Sequence, residues 1–120
     1  MKRDMDLMRE ILLVVEKWPF TGGFDTVVIP NRNKEEVAYH IYLLDDAGLI
    51  EAVTVSDGDN TQWYAKHLTY EGHEFLDAAR DQTRWAKAKD KVESTTGTLT
   101  LEALKIMLGM LIRQALTGGM

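Results

Sequence analysis

The sequence predicts a small α+β protein, on three observations. Apolar residues recur three and four apart over the first twenty residues, from 34 to 47, and through the last fifty. Between 50 and 68 this gives way to two apolar, β-branched runs flanking Ser56-Asp57-Gly58-Asp59-Asn60, the chemistry of a hairpin turn. A length of 120 residues suits one domain, with a core of modest size.

Each element has its own signal. Asp4 can cap a helix over 5–17, with Leu7, Ile11, Val14 and Trp18 on one row and Met8, Leu12 and Val15 on a second. Pro19 ends it, and Thr21-Gly22-Gly23 is a loop. Thr26 to Ile29 reads as a short strand closed by Pro30. Asn33 and Glu36 form a variant capping box opening a helix to Ala47, where Gly48 suits a left-handed cap and Leu49 its hydrophobic contact. After the hairpin, Thr69 caps one long helix that carries Phe75, Leu76 and Ala79 inward and runs through Trp85 to about Val92. Thr95-Thr96-Gly97 breaks it. Thr100 caps a last helix, with Leu99 and Leu104 as a hydrophobic staple, and Gly118-Gly119 ends it.

Helix, strand, helix, hairpin and helix is the winged-helix order with its middle helix reduced or missing. The expected organisation is a winged-helix domain over 1–93 and a C-terminal apolar helix over 94–120. VAYHIYLLDDAGLIEA (37–52) is similar to the recognition helix and wing entry of ArsR-, MarR- and PadR-type regulators, and LTYEGHEFL (68–76) resembles the step that follows their wing. MKRDMDLMREIL, VAYHIYLLDDAGLIEA and LTYEGHEFLDAARDQTRWAKAK together resemble an uncharacterised bacterial and prophage-associated winged-helix family, a domain of unknown function. The resemblance implies a fold and a phage or mobile-element setting. It transfers no catalytic residue.

Charge argues against the usual use of such a helix. Residues 21–79 hold three basic side chains (Arg32, Lys34, Lys66) against eleven acidic ones, within a chain of net charge −5. On the second helix Val37, Ile41 and Leu44 face the core, leaving Glu35, Tyr39, Tyr42 and Asp46 outward. A DNA-reading face needs Arg, Lys, Asn or Gln for base edges and cations for phosphate. Tyrosines among acids suit a protein-binding face instead. The one basic cluster is Arg80, Arg84, Lys87, Lys89 and Lys91 around Trp85. With Lys2 and Arg3 it is the better candidate for nucleic acid, although helical spacing also suits Trp85 as a core anchor.

The chain has no Cys, only two Ser (Ser56 and Ser94), and no phosphate-cradling glycine loop. His73 and Asp77 lie one turn apart without the second His of a zincin motif, and His40 and His67 are isolated. The expectation is therefore a non-enzyme without metal or cofactor. In the last helix Leu101, Leu104, Leu108, Leu111 and Ala115 alternate three and four apart as in the seam of a helix pair, which predicts a homodimer. That helix is too short and too charged to span a bilayer, and the charged N-terminus lacks an apolar leader core, so the cytoplasm is expected. The function expected is binding: a nucleic-acid-associated regulator of phage type, or a protein-interaction adaptor presenting the acidic, tyrosine-bearing face.

Overall fold

Asp4 starts the first helix by accepting, through Oδ1, the backbone N–H groups of Asp6 and Leu7 at 3.0 and 3.2 Å. In the computed structural model, which describes residues 1–118, this helix is α1 (Met5–Glu16). It buries Met5, Leu7, Met8, Ile11, Leu12 and Val15. Asn33 starts α2 (Lys34–Asp46) by accepting the Glu36 N–H at 2.7 Å, and α2 buries Val37, His40, Ile41 and Leu44.

The exit from α2 is a complete Schellman motif. The Leu49 N–H donates to Leu44 O at 2.9 Å and the Gly48 N–H to Asp45 O at 3.0 Å. Gly48 holds φ at +77°, and Leu44 and Leu49 are both fully buried. The chain then enters β1 (Ile50–Asp57), which pairs antiparallel with β2 (Asn60–Leu68). Asp57 opposes Asn60 across the two-residue loop Gly58-Asp59, Thr54 opposes Trp63, and a bulge at Lys66 shifts the register near the base. Thr69 joins hairpin to helix: its Oγ1 donates to Gly48 O at 2.6 Å and accepts the Gly72 N–H at 3.0 Å. Three helices follow, α3 (Tyr70–Ala79), α4 (Gln82–Thr96) and α5 (Leu101–Thr117). Gly119, expected to help end the last one, lies outside the described residues.

Two expectations are corrected. Thr26–Ile29 is not a strand of the sheet. Asp25 alone bridges to Ala65 through a reciprocal pair of backbone bonds, 3.0 and 3.1 Å long. Beyond it Val27 and Ile29 still turn inward while Val28 faces out, so the alternation is present without the ladder. Asn31, at φ +66°, then turns the chain toward α2. The long helix over 69–92 is two helices, because Asp81 leaves helical geometry and caps α4 by accepting the Arg84 N–H at 2.8 Å.

The chain forms two compact units, Met1–Glu74 and Phe75–Met120, so α3 begins in one and ends in the other. In the first, α1 packs on α2 and β2, and α2 packs on both strands. In the second, α4 and α5 pair as a helical hairpin. Its buried residues include Trp85, Ala88, Val92, Leu104 and Leu108.

Candidate functional site

A buried polar cluster fixes how α2 is held. His40 is fully buried; its Nε2 accepts the Asp4 N–H at 2.8 Å and its Nδ1 lies 2.8 Å from Glu36 O. An N–H donor on one side and a carbonyl on the other select the neutral tautomer with its proton on Nδ1. Arg32 spans the same region, 2.8 Å from Asp4 Oδ2 and 3.5 Å from Glu36 Oε2. Burial would raise the Asp4 carboxyl, but the Arg32 guanidinium and the N–H groups of Leu7 and Asp6 outweigh it and hold the group below its ordinary value. His40, which has no partner by sequence spacing, thus ties the N-terminus of α1 to α2.

With α2 anchored this way, its outer side presents Glu35, Tyr39, Tyr42 and Asp46. Tyr42 and both acids are exposed, and Tyr39 is half-buried. The tyrosine rings lie 6.2 Å apart between centroids. The structure adds a residue that sequence reasoning missed: Trp63, on β2, meets Tyr42 edge-on at 5.5 Å. Three rings therefore run from α2 onto the hairpin. The neighbouring Asp45 is engaged in the fold, its carboxylate accepting the Ala52 N–H at 3.1 Å. Beside the rings a groove of about 270 Å³ opens between α2, the 26–27 segment and β2, lined by Lys34, Glu35, Ala38, Thr61, Trp63 and Tyr64 among others. Phe24, half-exposed, tilts against Tyr64 at 5.0 Å.

The predicted basic cluster is only partly brought together. Arg84, Lys87 and Lys91 recur along one side of α4, and Arg84 also donates from Nη1 to Ala78 O at 3.3 Å. Arg80 sits at the break between α3 and α4, paired with Asp77 at 2.7 Å. Lys89 stands over the Trp85 ring at 5.8 Å. Trp85 itself is buried and meets Phe75 at right angles, so it serves as an anchor and offers no face for base stacking. Lys2 and Arg3 are exposed in the other unit.

Leu104 and Leu108, expected at an interface between two copies, are fully buried within the chain itself. Leu101 and Leu111 are half-buried and Ala115 is exposed; the most exposed apolar side chains of α5 are Ile106, Met110 and Leu116. Among the described residues no three His, Cys, Asp or Glu side chains converge as a metal site would require, and no helix is long and apolar enough to cross a membrane.

Fold and surface together define a small α+β protein with a helix-backed hairpin and an acidic, aromatic outer face. The chain belongs to the family described as "Hypothetical protein (DUF2513)", whose model matches residues 2–98. It is 38% identical over 120 residues to an "Uncharacterized protein" of Haemophilus influenzae (strain ATCC 51907 / DSM 11121 / KW20 / Rd), an alignment covering 97% of this chain and 99% of the relative. No solved structure matches it.

Proposed function

We propose that the protein acts by binding, without catalysis, as a winged-helix module whose working face is directed at another protein. The observation that carries this reading is the aromatic run Tyr39, Tyr42 and Trp63 flanked by the exposed Glu35 and Asp46. Clustered aromatic rings are the side chains protein interfaces favour, while carboxylates beside them oppose a phosphate backbone. The winged-helix assignment is supported by the order α1, α2, hairpin, α3 and by the Asp25–Ala65 bridge beside β2. A phage or mobile-element setting is carried in the same proposal by the resemblance of the three sequence motifs.

The experiment is a pair of titrations in ~150 mM salt, where cation-poor surfaces lose affinity for duplexes. Mixed-sequence duplex DNA is expected to bind weakly or not at all. A lysine-rich peptide is expected to bind, and Tyr42→Ala is expected to weaken that binding while leaving the melting temperature within a few degrees. Sub-micromolar, sequence-selective DNA binding that is lost on Tyr39→Ala would overturn the proposal and restore α2 as a DNA reader.

A further inference from the structure

The backbone of β2 carries information that its side chains do not. Ala65 directs both its N–H and its C=O at Asp25, away from β1. Backbone groups in an antiparallel pair alternate in direction from residue to residue, so Trp63 and Thr61 also direct theirs away from β1. The register agrees: Trp63 opposes Thr54 and Thr61 opposes Ser56, both alternate positions from Ala65 opposite Ala52. The chain that bonds Ala65 does not continue along this edge. After Asp25 it leaves β2, and among the described residues no further backbone partner meets Thr61 or Trp63. The groove described above lies where the two part, with Thr61, Gln62, Trp63 and Tyr64 on one wall, Thr26 and Val27 on another, and Lys34 and Glu35 of α2 at its side. The edge carries none of the usual guards at these positions: no proline, no lysine, and the bulge lies farther along at Lys66.

We propose that this edge takes an extended, basic peptide segment of a partner protein as an added strand, paired through the N–H and C=O groups of Thr61 and Trp63. The inference rests on the protein-directed reading of the same face and names its mode. Alternating donors and acceptors along an open strand are matched by another extended backbone, so main-chain bonds supply the pairing and side-chain sites supply the choice. The choice of a basic segment follows from charge. Lys34 and Glu35 both line the groove and offset each other, so the sign is set by the surroundings: Asp46 lies farther along the same side of α2, and residues 21–79 hold eleven acids against three bases. Aromatic faces at Tyr42 and Trp63 add attraction for Arg or Lys side chains.

The test uses four synthetic eight-residue peptides: one alternating Thr and Lys, one alternating Thr and Glu, and two copies of the Lys peptide N-methylated at every second amide, each on a different edge. Each is titrated into the isotopically labelled full chain and followed by amide resonances. The Lys peptide is expected to move the Thr61 and Trp63 amides and slow their exchange with solvent. The Glu peptide is expected to bind at least roughly tenfold more weakly, and methylation of the edge facing β2 is expected to weaken binding by a similar factor, while methylation of the other edge has little effect. Thr61→Pro deletes one outward N–H without touching the β1 ladder and is expected to act as the methylated peptide does. Binding indifferent to methylation overturns strand addition and leaves the protein-directed face standing, since Tyr42→Ala would still weaken it. Equal or tighter binding of the Glu peptide overturns the basic occupant. Concentration-dependent shifts of Thr61 and Trp63 without peptide make the occupant a second copy and overturn the proposal, and no shift at these amides with any peptide overturns it outright.

Discussion

The backbone N–H of Asp4 donates to Nε2 of His40 across 36 positions of sequence, joining the cap of α1 to the buried side of α2 at 2.8 Å. A leucine at position 40 fills a comparable space but offers no acceptor, leaving a partly buried N–H without its partner. His40→Leu should therefore lower stability by about 2 kcal/mol, the range for an unsatisfied buried donor. Urea unfolding measures it; an unchanged midpoint would mean that water replaces the imidazole at no cost.

Asp4 makes the same junction sensitive to acid. Its folded carboxyl is held below the unfolded value, so the stabilisation is complete above the ordinary carboxylate range and is lost as pH falls through the folded value. Asp4→Asn retains a good helix cap but loses the charge opposite Arg32. At pH 7 the variant should melt below the wild type. As pH falls below the ordinary carboxylate value the two melting curves should converge, and a gap that stays constant with pH would remove the charge from the account.

Two glycines at the foot of the hairpin should respond differently to alanine. At Gly48 nothing lies within 4 Å of an added Cβ, so only the positive φ is penalised, at about 1 kcal/mol. At Gly72 an added Cβ would fall 1.9 Å from the carbonyl oxygen of Leu49, which is backbone and cannot rotate aside. Gly72→Ala should cost about 3 kcal/mol, the upper end for overpacking. Equal losses in calorimetry would contradict the close approach of α3 to the α2 exit.

Leu108→Ala should destabilise the helical hairpin by about 3 kcal/mol, as deletion from a core does, whereas Met110→Ala on the exposed side should change little. The loss should be the same at every protein concentration. A loss that shrinks as concentration rises would put Leu108 in an interface between copies.

Much of the first unit is legible in sequence because its devices are local. Asp4, Asn33 and Gly48-Leu49 act within four or five residues, as Thr100 does in the second unit, and the turn Gly58-Asp59 needs only its own neighbours. Asp81 is as local as these, and its N-cap role is a signal the apolar row running to Trp85 overrides in a periodicity reading. The remaining differences are non-local. Thr26–Ile29 has strand composition, but a ladder requires a partner strand that stays alongside, and β2 is bridged only by the preceding Asp25, at Ala65. Of the candidate site, the face of α2 follows from helical projection. Trp63 joins it only through the hairpin register and the packing of α2 on β2, neither of which spacing along the chain reveals. His40 is hidden for the same reason, its donor being 36 positions away.

The pairing of α4 with α5 also sets an order of events during synthesis. The unit Met1–Glu74 holds both strands of its sheet and both helices packed on them, so its interior can close as soon as that length has cleared the ribosome. The later helix has no such self-sufficiency: Trp85, Ala88 and Val92 line an apolar row, and Leu104 and Leu108, the buried residues of its partner, are made only afterwards. For that interval the nascent chain displays the apolar row of α4 without the helix that covers it. A slow codon run or a premature stop between Gly97 and Leu108 would prolong that display and make the shortened product a substrate for chaperones and proteases.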